Sequence, residues 1–139
     1  NAAFVLNGGD RGLLAALDGL SAEAASKASH DGGTIAGHVN HLRYGLSLMN
    51  RWAAGEENPF AGADWAGSWK TTKVSDTEWK VLRDGFRSEV ERWHRALQNP
   101  REVSGIELDG VIASVVHLAY HMGAMRQIDP TLRGPKATD

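Results

Sequence analysis

His117 and His121 stand four residues apart in the run HLAYHMGAMRQI, and His38 and His41 stand three apart in GHVNHL. Neutral imidazole is the commonest protein ligand for transition metals. On a helix, an i, i+4 spacing puts two side chains on one face a turn apart, within reach of a single ion. Two ligands do not make a site. The chemistry depends on whether folding carries a histidine from GHVNHL to the HLAYH pair. The plainer reading is a pair of buried imidazoles that form hydrogen bonds and hold no ion. His30 lies beside a turn and His94 lies off the apolar stripe of its helix, so both are expected at the surface.

The elements that must position these residues read as helices. A first helix is expected from Asp10, as N-cap, through Leu13, Leu17, Leu20, Ala24 and Ala28, with a bend or restart at Gly19 and Ser21. Asp31-Gly32-Gly33 then breaks the pattern. Thr34 is a good N-cap for a second helix, whose stripe is Ile35, Val39, Leu42, Leu46, Met49 and Ala53, with Gly55 as its stop. A third helix opens on a capping box, Ser75 with Glu78. It buries Trp79, Leu82, Phe86, Val90, Trp93 and Leu97 and ends at Asn99-Pro100. Ser104 with Glu107 opens a fourth, which runs to about Ile128 before Pro130. Steps of 100° per residue place Gly110, Ala113, His117, His121, Ala124 and Ile128 in one sector, read as the inward face. On the second helix the same wheel puts His38 nearer the centre of the apolar sector and His41 toward its rim.

No segment alternates long enough to predict a strand. Four amphipathic helices without a sheet predict an all-α protein, a four-helix bundle forming one domain over residues 1–139. The stretch from Glu56 to Val74 is long for a connection and carries Trp65 and Trp69. A linker of that length can return along a helix of roughly 30 Å, so the second and third helices are expected to run parallel, giving an up-down-down-up order. The two indoles would pin the crossing chain to the helices beneath it.

Bulk properties narrow the function classes. The net charge of −2, with scattered Lys and Arg, offers no field for nucleic acid. No apolar run approaches the length of a membrane span, and no signal peptide is visible. The chain begins at Asn1 rather than Met, as a fragment or a trimmed product would. With no cysteine there are no disulfides and no thiolate ligands, which suits a reducing cytoplasm. No Asp or Glu accompanies the HxxxH pair as in HExxH metalloproteases. Tyr44, Tyr120 and Arg126 are candidates to line a cavity, although packing roles suffice for Tyr120 and Arg126.

In TIAGHVNHL, in HLAYHMGAMRQI, and in GEENPFAGADW between them, the chain resembles the DinB-like superfamily of small bacterial four-helix bundles. That group includes thiol-dependent transferases and mycothiol-dependent maleylpyruvate isomerases. The resemblance covers most of the chain. It implies a divalent metal, zinc or nickel, held by one histidine of the second helix and two of the fourth. Carried onto this sequence, the ligands are His41, His117 and His121, with His38 as a rival or a supporting group. It also implies parallel second and third helices and a homodimer.

Three readings follow. One is a metal-dependent enzyme acting on a small molecule, either a transferase using a low-molecular-weight thiol or a metal-dependent hydrolase. Another is a stress-related metal-binding protein without turnover. The last is a helical protein whose histidines merely pack.

Overall fold

The structure, a computed structural model, describes residues 12–132. Among them are five α-helices, a 3-10 turn and no strand: α1 (Leu13–Asp18), α2 (Ala22–Ala25), α3 (Ile35–Ala53), the turn Gly67–Trp69, α4 (Asp76–Gln98) and α5 (Gly105–Ile128). The all-helical class is as expected. Asp10, the anticipated first N-cap, and the tail beyond Leu132 lie outside the described residues.

The first expected helix is two short ones. Gly19 ends α1, and the Ser21 hydroxyl accepts from the backbone N–H of Ala24 to start α2. The helix does not resume after Ala25, so Ala28 is exposed loop. These short pieces are held from outside: the Trp79 indole N–H donates to the Leu20 carbonyl at 2.7 Å, and Arg83 donates to the Asp18 carbonyl at 3.0 Å.

The long helices begin where their caps predict. The Thr34 hydroxyl accepts from Gly37 N–H, and both Ser75–Glu78 and Ser104–Glu107 form complete capping boxes. Past the end of α3, Gly55 adopts φ +100°, a left-handed conformation that favours glycine. The core gathers Leu13, Leu17, Ile35, Leu42, Phe86 and Met125, all fully buried. Removing the Phe86 ring would cost about 3–5 kcal/mol.

Side-chain pairings give the directions of the helices. A Cβ on Gly85 would lie 3.2 Å from Cδ of Arg43, and Asn50 donates to the Glu89 carbonyl at 3.0 Å. Positions advance together along α3 and α4, so the two run the same way. Along α3 and α5 they run in opposition: His38 meets His121, His41 meets His117, and Trp52 meets Gly110. Among the described residues no helix is long and apolar enough to cross a membrane.

Candidate metal centre

Thr34 sets the start of α3, which fixes His38 and His41 one and two turns into the helix. Ser104 does the same for α5, which brings His117 and His121 up against them from the antiparallel direction. The outcome is a convergence of ring nitrogens. Nε2 of His117 lies 3.1 Å from Nε2 of His41 and 3.0 Å from Nε2 of His121. These three residues form a group whose ligand atoms all lie within 4.8 Å of one another.

The donor set suits a metal ion. Two imidazole nitrogens on one tetrahedral zinc, each about 2.0–2.1 Å from it, sit about 3.3 Å apart, close to the spacing here. Without an ion the cluster is awkward. Nε2 of His117 faces two other ring nitrogens, and a single N–H would have to serve both.

The far nitrogens decide which tautomers are present. The Ser68 hydroxyl donates its one hydrogen to the Trp65 carbonyl at 2.6 Å. Its oxygen must therefore accept from His41 Nδ1–H, at 2.7 Å. With the proton on Nδ1, His41 presents a bare lone pair at Nε2, as a metal ligand must. Nδ1 of His121 pairs with Nδ1 of His38 at 2.8 Å. If His121 ligates through Nε2, its Nδ1–H donates to His38. His38 lies outside the Nε2 cluster and meets it through Nδ1 of His121.

Burial shapes the basicity of the four rings. His41 is 7% exposed and His121 4%. Desolvation, followed by the neighbouring imidazoles, pushes His41 down to about 4 and His121 down to about 3. Burial also lowers His117, and it lowers His38 against the opposing pull of Asp31. Burial thus favours the neutral form of all four rings, the form whose lone pairs can ligate.

Of the expected ligands, the structure brings His41, His117 and His121 together. It reverses the helical-wheel order of His38 and His41, because His41 is the more buried. The linker is the reason. Trp69 stacks on the His41 ring at 4.3 Å between centroids, and Trp65 lies 5.6 Å from it. The two indoles do hold the crossing chain, and what they hold it to is the histidine cluster. Asn40 adds a further tie, donating to the Ser68 carbonyl at 2.7 Å. On α5 the buried face centres on Ser114, Leu118, Met122 and Met125, with His121 among them, so the expected inward sector is its border. His117 sits on that border, beside a cavity. His30 is exposed as expected, and His94 is half-buried.

Tyr44, offered as a cavity residue, instead accepts from the Asp64 backbone N–H at 2.8 Å and packs edge-on against Trp65. Tyr120 is exposed with its ring against His121. Sequence reasoning missed Ser68 and Asn40. The available signal was the pair of tryptophans flanking Ser68, which marks the linker as packed. No family model matches the chain, and no curated protein or solved structure matches it either.

Proposed function

We propose that this chain is a DinB-like four-helix bundle, ordered up-down-down-up, in which His41, His117 and His121 hold one divalent ion, zinc or nickel. The observation that carries the reading is the meeting of three Nε2 atoms from α3 and α5, with the His41 proton fixed on the opposite side by Ser68. The shared direction of α3 and α4 supports the bundle order.

The activity proposed is transfer of a low-molecular-weight thiol onto an electrophile. An ion held by His41, His117 and His121 would supply a Lewis acid that lowers the pKa of a thiol or water. The protein's own part is to present three neutral ligands, to screen them with Trp65 and Trp69, and to leave the side by His117 open to a cavity. With no cysteine in the chain, the thiol must diffuse in. Its proton passes to solvent, sulfur bonds to the electrophilic carbon, and the leaving group departs with the electron pair. A metal-dependent hydrolase, with water in place of the thiol, is the second reading. It rests on the same open side. A metal-binding stress protein without turnover is the outcome if neither reaction is found. The absence of cysteine suits a cytoplasmic setting.

A homodimer belongs to the same proposal. Between Gly110 and Met125 α5 carries no Asp, Glu, Lys or Arg, and its outer face leaves Leu108, Ile112, Val115 and Val116 exposed, which fits a helix covered by a second copy.

The test of activity uses metal-loaded protein with several bacterial thiols and 1-chloro-2,4-dinitrobenzene, followed by thioether formation and chloride release. A rate above the free-thiol background that disappears in His117→Ala supports the transferase. No rate above background with any of the thiols counts against it.

A further inference from the structure

A cavity of about 830 Å³ opens beside His117. Its size suits a small organic molecule rather than a bare ion with its waters. Its walls are mainly apolar and aromatic: Trp52, Phe60 and Trp65 all line it. Trp52 and Phe60 meet edge to face at 6.0 Å, and this forms a corner that a flat or branched body can fill. Gly110 makes the corner possible, because a Cβ there would come within 2.5 Å of the Trp52 ring.

The charge of the lining has one sign. Glu57 and Asp109 both border the cavity, and no lysine or arginine does among the described residues. Neither carboxylate side chain has a hydrogen-bond or ion-pair partner among those residues, unlike Glu56 on Arg51 or Glu107 on Arg101 nearby. Asp109 and His117 are eight residues apart on α5, roughly 12 Å of helix rise. The cavity therefore has one end at His117 and an acidic end about two turns away, with indole and phenyl faces among its walls. Carboxylates beside aromatic faces favour an organic cation over an anion of the same shape.

We propose that the cavity takes an organic amine with an aromatic or aliphatic body, its ammonium toward Asp109 and Glu57 and its body toward His117. That this ligand is a substrate rests on the metal centre proposed above. That it binds does not, so binding is read on metal-free protein.

The experiment compares three probes of one length by calorimetry: 4-phenylbutylamine, 4-phenylbutanol and 4-phenylbutyrate. The amine should bind at least about tenfold tighter than the carboxylate, with the alcohol between them, and added salt should shrink the gap. In the double variant Glu57→Gln, Asp109→Asn the three should fall within about threefold of one another. Trp52→Ala should weaken all three alike. The proposal is overturned if the carboxylate binds as well as the amine, if the double variant keeps the discrimination, if Trp52→Ala changes nothing, or if no probe binds. Metal content is measured on the same preparations. A protein that binds the amine and no metal would refute the centre and leave the cavity assignment standing.

Discussion

His41 donates its Nδ1 proton to the Ser68 hydroxyl at 2.7 Å, across a linker that separates them by 27 residues in sequence. That bond selects the tautomer whose Nε2 faces His117. Ser68→Ala removes the acceptor, frees the ring to turn, and leaves Nδ1–H unsatisfied beneath Trp69. Metal affinity, read by competition with a chelator, should fall about 10–100-fold while the circular dichroism of the helices stays unchanged. Unchanged affinity would mean that the hydroxyl has no part in orienting the ligand.

His38 and His41 should separate cleanly. His41 contributes an Nε2 to the cluster, whereas His38 reaches the far nitrogen of His121. His41→Ala should abolish tight binding. His38→Ala should keep one ion per chain and bind it about tenfold or more weakly. The reverse pattern in a metal titration would show that the ligand from α3 is His38.

The metal-free protein should lose stability on mild acidification. An unfolded histidine titrates near pH 6.5, whereas His41 and His121 in the fold titrate at about 4 and about 3. Between those values the unfolded chain binds more protons, so stability falls as pH drops below about 6.5 and is unaffected by these groups above it. Thermal melting between pH 7 and pH 5 covers the window before most carboxylates titrate. The midpoint should decline there, and His41→Gln with His121→Gln should flatten the decline. An equally steep decline in the double variant would place the proton uptake elsewhere.

The exposed face of α5 gives the dimer a direct check. Val115→Glu sets a charge on that face, at a residue that does not line the cavity. Sedimentation should show a dimer for the unaltered chain and a monomer for the variant, with metal content preserved. A monomeric unaltered chain would end the dimer proposal.

Much of this was legible from local chemistry. Thr34, Ser75 and Ser104 satisfy backbone donors within three residues of themselves, so their helices start where the sequence says. The pairing of His117 with His121 follows from helix periodicity alone. What a helical wheel does not contain is the cover supplied by other segments. His41 looked peripheral because the wheel has no linker, and Trp69 with Ser68 makes it the deeper ring. Likewise the buried face of α5 is displaced toward Leu118 and Met122, because apolar residues such as Ile112, Val115, Val116 and Leu118 fall on several sides of that helix and periodicity gives it no direction. The early helices failed for a related reason: α1 and α2 depend on Trp79 and Arg83, about sixty residues away.

Metal content settles the centre most directly. The protein is purified without a nickel column, offered zinc or nickel, and cleared of excess before elemental analysis. The account predicts about one equivalent per chain, and less than about a tenth of an equivalent in His117→Ala. An unaltered protein below a tenth of an equivalent, or a His117→Ala variant that still holds a full one, would contradict it.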